Sequence, residues 1–253
     1  MDAMEIRRNA IIELINTHGT VKFSQIKKAF PNVSDMTLRT DLKALDDANQ
    51  IIRIHGGAKS VQVVVGTDDF LNKRSFRNRK EKQMIAEKAL SLLRPDTTIF
   101  LDSGSTATIL ASLFPDQSNL IYTSGLSCAI ELSGLSKPTV MIPGGKLNRY
   151  SQSVNGYSAL KEIERVNFDQ VFLGVTYYSS TAGFTCGSDD ESFIKSTAMH
   201  QSDQVIVLMD SSKVGKKCSY KICDISDVDL IISDGKLSED FLEECQKNQV
   251  IVL

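Results

Sequence analysis

Ser34-Asp35-Met36-Thr37-Leu38-Arg39-Thr40-Asp41-Leu42-Lys43-Ala44-Leu45 is the stretch on which the fold turns. At about 100° per residue, Leu38, Leu42 and Leu45 form one apolar stripe. Met36, Thr40, Lys43 and Asp47 point the opposite way, with Thr37 and Arg39 on the flanks. Ser34 suits an N-cap, so the spacing predicts a helix from Asp35 to about Ala48. Upstream, Ile6, Ala10, Ile11, Leu14 and Ile15 recur at helical intervals, and His18-Gly19 closes that first helix. Thr20-Val21-Lys22-Phe23 is short and partly β-branched. Ser24 can cap a second helix carrying Ile26, Ala29 and Phe30, which Pro31-Asn32 breaks. Two short helices joined by a tight turn, the second freshly capped, form the helix-turn-helix layout.

Downstream, Ile51-Ile52-Arg53-Ile54 reads as a strand, His55-Gly56-Gly57 as a turn, and Lys59 to Val65 as the returning strand. A hairpin directly after the third helix is the wing of a winged helix. Recognition helices meet base edges chiefly through their first turns. Thr and Arg there donate to bases or phosphates, and a Met or Thr methyl can touch a thymine methyl. The candidate DNA contacts are therefore Ser34, Met36, Thr37, Arg39, Thr40 and Lys43 on the helix, with Arg53, His55 and Lys59 on the wing, where backbone contacts fix position. The same polar face also suits a plain three-helix bundle or a protein-binding winged helix.

Charge is unevenly distributed. Residues 1–80 hold 14 Lys/Arg against 9 Asp/Glu, a net of +5, and residues 81–253 hold 15 against 22, a net of −7. A basic head on an acidic body fits a chain of which one part approaches a polyanion. The five cysteines are odd in number and scattered, unlike a disulfide framework. No apolar run approaches the roughly 18 residues of a membrane helix, and the polar, acidic start is unlike a secretory signal. The expectation is a cytoplasmic protein without membrane association.

Gly66-Thr67-Asp68-Asp69 opens a linker, and a basic run follows it from Lys73 to Lys82. A helix is expected from about Asn78 to Leu93. Strands are then expected at Thr98–Leu101, Leu120–Tyr122, Thr139–Ile142, Val171–Leu173, Val205–Met209, Leu230–Ile232 and Val250–Leu253. Helices are expected between them at Ser105–Leu113, Ser158–Glu164, Asp190–His200 and Ser238–Gln246. Such alternation predicts an α/β domain built on a largely parallel sheet. The domains are thus 1–65, a winged helix-turn-helix; 66–77, a linker; and 78–253, the α/β domain.

Ligands of open α/β sheets sit at the carboxyl ends of strands, and small polar residues collect there. Asp102-Ser103-Gly104-Ser105-Thr106 leads from a strand into a helix. Glycine lets a backbone approach closely, the hydroxyls donate, and a helix N-terminus favours an anion, which together make a phosphate cradle. It is not a Walker loop, because that spacing is absent. Thr123-Ser124, Gly144-Gly145 and Asp210 to Lys213 end other strands, although each alone would serve as a cap or a turn. Lys213 offers an ammonium to a phosphate, and Asp102 or Asp210 can bind sugar hydroxyls. Asp189-Asp190-Glu191 is read as the first turn of a helix rather than as a cation site. Phe23, Phe30, Phe184 and Phe193 are read as core. No metal site and no cofactor are expected.

Thr37-Leu38-Arg39-Thr40-Asp41-Leu42, followed at matching distance by Arg53-Ile54-His55-Gly56-Gly57-Ala58, resembles the DeoR family of bacterial transcriptional regulators, whose pattern is T-[IL]-R-R-D-L and then R-x-H-G-G-A. The family usually has a second Arg where this chain has Thr40. The strand-end motifs of the second domain also match the family's sensor domain, with Ser124 where Asn is common. That domain is similar in fold to ribose-5-phosphate isomerase and bacterial glucosamine-6-phosphate deaminase. The resemblance implies a sugar-phosphate effector whose phosphate lies on Ser103 to Thr106 with Lys213 nearby. The function expected is sequence-specific repression of a carbohydrate-metabolism operon, on double-stranded operator DNA, by a homo-oligomer that a phosphorylated sugar modulates. The rival is an isomerase-like enzyme in which Asp102, Asp210 and Lys213 shuttle protons. No His or Glu lies in the strand-end loops to support it, and the chain is expected not to be an enzyme.

Overall fold

The structure, a computed structural model, describes residues 3–47, 50–54, 56–60 and 71–253. The chain divides into two compact units, Met1–Thr67 and Asp68–Leu253. His55, the strand expected over 61–65 and the start of the expected linker lie outside the described residues.

The first unit runs α1 (Ala3–His18), β1 (Thr20–Lys22), α2 (Phe23–Ala29), α3 (Asp35–Asp47), β2 (Ile51–Ile54) and β3 (Gly57–Ser60). Its core is Ile11 and Ile15 of α1, Ile26 of α2, the Leu38, Leu42 and Leu45 stripe of α3, and Val21, Ile51 and Ala58 of the strands. Gly19 takes a left-handed φ of 70°, which ends α1 as expected. The second helix starts two residues earlier than a Ser24 cap would place it. Its N-cap is Lys22, whose N–H donates to Gln25 Oε1 at 2.8 Å, so the glutamine at the third helical position does the capping. The hairpin of β2 and β3 gains β1 as a third, antiparallel strand, in the order β1-β3-β2. Gly57 permits this: a Cβ there would lie 2.2 Å from the Val21 carbonyl oxygen.

The second unit begins with α4 (Leu71–Phe76) and α5 (Arg79–Leu90). Residues 71–76, expected as linker, are thus helical, and Leu71 is buried. There follow β4 (Thr98–Leu101), α6 (Ser105–Ser112), β5 (Leu120–Thr123), α7 (Leu126–Leu132), β6 (Thr139–Met141), β7 (Lys146–Asn148), β8 (Ser153–Asn155) and α8 (Tyr157–Ile163). The rest is β9 (Gln170–Gly174), β10 (Tyr177–Ser179), β11 (Gly183–Cys186), α9 (Asp189–His200), β12 (Val205–Leu208), β13 (Tyr220–Cys223), β14 (Leu230–Ile232), α10 (Glu239–Lys247) and β15 (Ile251–Val252).

Seven strands form one parallel sheet in the order β15-β14-β12-β9-β4-β5-β6. They are short apolar runs because both faces are covered: Phe100 and Val207 look into one core, Leu101 and Ile206 into the other. From β4 the chain steps outward to β5 and β6. It then returns to the other side of β4 with β9 and continues to β12. The order therefore reverses between β4 and β9, and such a switch point opens a crevice at the carboxyl ends. Two small antiparallel pieces, β7 with β8 and β10-β11-β13, were not anticipated.

Candidate functional site

On the first unit, α3 presents Met36, Arg39, Thr40 and Lys43 to solvent, with Met36 75 % exposed. Ser34 and Thr37 are partly committed to the helix end. The Thr37 N–H donates to Ser34 Oγ at 3.1 Å, and the two hydroxyls are 2.8 Å apart. Thr40 Oγ1 donates back to the Met36 carbonyl at 2.9 Å, leaving its methyl outermost. The Arg39 guanidinium lies 4.4 Å from the centre of the Phe23 ring, so α2 steers the cation rather than leaving it loose. Arg53 is exposed on β2, its N–H held by Asp46 at 2.9 Å, and Lys59 is half-buried in the central strand of the small sheet. Asp41 is not on this face. It is buried and accepts from Arg7 Nε at 2.6 Å and Arg8 Nε at 2.9 Å, tying α1 to α3. Burial alone would raise its pKa, but those two guanidinium groups outweigh burial and hold it below the usual carboxylate value.

On the second unit, the switch point gathers most of the expected effector residues. Asp102, just past β4, accepts from the Gly174 N–H at 2.9 Å, bridging to the end of β9. The same carboxyl oxygen meets the Lys195 ammonium, which also donates to the Gly174 carbonyl at 3.0 Å. The other oxygen, Oδ1, is buried without a hydrogen-bond partner. Ser103, Gly104, Ser105 and Thr106 are buried around the start of α6, where Gly104 takes φ 113°. Gly125 packs so closely that a Cβ there would stand 3.0 Å from Ser103 Cα, which joins the loop after β5 to the loop after β4. In that second loop Thr123 Oγ1 accepts from the Gly125 N–H at 3.1 Å, and the Ser124 carbonyl accepts from Val154 at 2.7 Å. Past β12, Asp210 accepts from Asn78 Nδ2 at 2.9 Å and from the Ser212 hydroxyl, and Lys213 donates to the Val175 carbonyl at 2.7 Å. Gly144 and Gly145 stand apart, past edge strand β6. The Gly144 N–H donates to Glu162 at 3.2 Å, and a Cβ on Gly145 would come within 2.4 Å of the Asn155 carbonyl.

The electrostatics are those of a crowded cationic site. Burial pushes Lys213 below its usual value, and repulsion from Arg74 and Lys195 adds to that effect against the attraction of Asp210. Burial, then repulsion from Lys213, Arg74 and Arg77, brings Lys82 down to about 7. Lys195 is also buried, yet Asp102 and Glu191 outweigh burial and hold it above its usual value, so it stays an ammonium. Asp210 is opposed by burial but is held low by Lys213, Ser212, Asn78 and Lys82.

Several of these residues escaped the sequence reading. Lys195 and Glu191 lie four apart on one face of α9, inside a helix read only for its acidic first turn, which does form. Glu191 also corrects the expectation that no Glu accompanies the strand ends. Its Oε1 accepts from Ser153 Oγ at 3.0 Å and Asn148 Nδ2 at 3.2 Å, and Ser153 bridges to Gly125. Arg74, Asn78 and Lys82, at four-residue spacing, fall in the expected linker, basic run and helix start, and none was expected in the site. Phe193, expected in the core, is exposed. Among the described residues no His/Cys/Asp/Glu group has a metal-holding arrangement, and no helix is long and apolar enough to cross a membrane.

Residues 7–64 match the model of the DeoR-like helix-turn-helix domain, and residues 77–235 match that of the DeoR C terminal sensor domain. Similar curated proteins include the HTH-type transcriptional regulator GolR of Listeria innocua, 30 % identical over 95 % of this chain and 94 % of that protein. Another is the HTH-type transcriptional regulator GlpR of Haloferax volcanii, 29 % identical over 98 % and 96 %. A third is the lactose phosphotransferase system repressor of Staphylococcus aureus, 29 % identical over 90 % and 91 %. Among solved structures, ribose 5-phosphate isomerase A of Methanocaldococcus jannaschii is similar over 54 % of this chain and 55 % of its own, with a TM-score of 0.40 and 17 % identity. With a helix-turn-helix unit and a sensor unit that together match nearly end to end, the chain belongs to the DeoR family of transcriptional regulators.

Proposed function

We propose that the chain represses a carbohydrate-metabolism operon in the cytoplasm, and that a phosphorylated sugar bound in its second unit changes its affinity for operator DNA. Double-stranded DNA is read by α3, with Met36, Arg39, Thr40 and Lys43 toward the bases and Ser34, Thr37, Arg53, His55 and Lys59 toward the backbone. The effector's phosphate lies on Ser103 to Thr106 with Lys213 beside it, and Asp102, Asp210, Thr123 and Ser124 face the sugar hydroxyls. Gly144 and Gly145 act indirectly, by shaping the β6–β7 connection. The observation that carries this reading is the seating of Lys195 on Asp102 and the Gly174 carbonyl, and of Lys213 on the Val175 carbonyl, at the carboxyl ends of β4 and β9 next to the N-terminus of α6.

The relatives' names support regulation rather than catalysis. In the site itself Asp102 is paired with the Lys195 ammonium, although burial holds its pKa above the usual carboxylate value, and Glu191 is held by Ser153 and Asn148. The test is a thermal-shift screen across phosphorylated sugars, followed by a gel shift on the upstream region of the chain's own operon with and without the hit. A hit that changes the shifted fraction without being consumed supports the reading. Turnover of the sugar phosphate would replace it with the isomerase.

A further inference from the structure

Four cations, Arg74, Lys82, Lys195 and Lys213, gather at the switch-point site. Asp102 is taken up by Lys195, and Asp210 by Asn78, Ser212 and the field of Lys213. Lys213 donates to a carbonyl, that of Val175. Lys82, also buried, donates to the carbonyls of Arg74 at 2.5 Å and Arg77 at 2.6 Å, so its hydrogen bonds go to dipoles while Asp210 attracts it through space. Arg74 adds its own cation to both lysines. Its Nε and Nη2 are buried with no hydrogen-bond partner. A guanidinium presents its donors as a rigid fork fitted to carboxylate or phosphate oxygens, and leaving such charged donors buried and unmatched is costly. The helix that carries Arg74, α4, packs against α6, whose N-terminus is the cradle.

We propose that Arg74 is a direct ligand of the effector's dianionic phosphoryl group, so that occupancy of the site clamps α4, the first described element of the second unit. The proposal rests on the effector-site reading above and adds a route out of it. The Arg74 side chain grips the anion while its carbonyl is gripped by Lys82. The anion and Lys82 therefore hold α4 at two atoms of one residue. Residues 61–70 lead directly into α4. Whatever fixes α4 fixes the sensor end of the chain that joins the two units, and a ligand shifts an equilibrium only by such state-dependent contacts.

The test uses the full chain, with inorganic phosphate as probe, read by calorimetry and amide hydrogen exchange. In the parent, phosphate is expected to slow exchange both in residues 102–108 and in 71–76. Arg74→Gln is expected to weaken phosphate binding about tenfold or more, the loss of a charge-assisted contact. When phosphate is raised to saturate that variant, 102–108 should still be protected and 71–76 should not. Lys213→Gln distinguishes the two readings. If it weakens binding while Arg74→Gln binds and protects 71–76 like the parent, the clamp is wrong and the effector site stands. If phosphate protects neither segment of the parent, both fall. Should Arg74→Gln fail to fold, Arg74→Lys carries the test, because it keeps the charge but not the fork. A several-fold loss then supports the clamp, and parent-like affinity overturns it.

Discussion

Lys82 illustrates what a single buried residue can report. Its ammonium faces the carbonyls of Arg74 and Arg77, the cations Lys213, Arg74 and Arg77, and the attractive carboxylate of Asp210. Burial and repulsion bring its pKa to about 7. A bound dianion favours the charged form, so affinity is greatest below about 7 and falls as pH climbs through that value. Sulfate is the suitable probe, because it stays dianionic throughout. The parent should lose roughly tenfold in sulfate affinity between about pH 6 and about pH 8.5, the worth of one charge-assisted contact. Lys82→Met should bind weakly at both ends and show no slope. A slope that persists in Lys82→Met would assign the titration to another group. Residues of this kind were hidden in the sequence for a physical reason. Lys195 meets Asp102 across 93 positions, and only the folding of α9 against the end of β4 brings them together. Ser103 to Thr106, by contrast, were legible, since a polar glycine loop between strand and helix is a local signal.

Among elements, the wing is the most sharply constrained. Gly56 takes φ 80°, and Gly57 lies against the backbone of β1 with no room for a Cβ. Gly57→Ala must push β3 off β1, because the obstructing atom is a carbonyl oxygen and not a side chain that can swing away. The cost should be about 1–3 kcal/mol of stability in the first unit, as for other overpacked sites. Operator affinity should fall with it. Calorimetric unfolding and a DNA titration of the full chain check both, and a variant with parent-like unfolding and affinity would show that β1–β3 pairing is dispensable. The inner parallel strands were legible in the sequence because strands buried on both faces read as apolar runs, and the more exposed edge strands β6 and β15 were legible from their β-branched residues. The hairpin of β7 and β8 was not: Lys146–Asn148 and Ser153–Asn155 are three residues each and carry mostly polar side chains. Helix α4 was missed because six residues with basic neighbours look like a solvated link, although Leu71 anchors it.

At the scale of the whole molecule, one winged helix has a small footprint, and two half-sites read by a symmetric assembly are the usual remedy. The second unit offers an apolar surface for this. Leu147 on β7, Tyr157 on α8 and Phe193 on α9 are each more than half exposed; α8 and α9 pack on each other and on β8, the partner strand of β7. The expected assembly would bury these apolar groups, since contiguous exposed apolar surface is where protein interfaces form. Full-length protein should sediment as a dimer or larger, and Leu147→Glu with Phe193→Glu should shift it toward monomer and weaken operator binding. A parent that is monomeric at micromolar concentration yet binds operator tightly would contradict that assembly.

In the proposed function the switch-point site of the second unit governs DNA binding by the first, and this control is open to measurement. It is tested most directly by operator affinity measured with and without the identified sugar phosphate, for the parent, Lys213→Ala and Thr106→Ala. Each lost phosphate contact should cost about 1.5–3 kcal/mol, roughly tenfold to over a hundredfold in effector affinity. Both variants should bind operator as the parent does without effector, and should need at least about tenfold more effector for the same change in affinity. If both respond at the parent's effector concentration, the site lies elsewhere and the account is wrong.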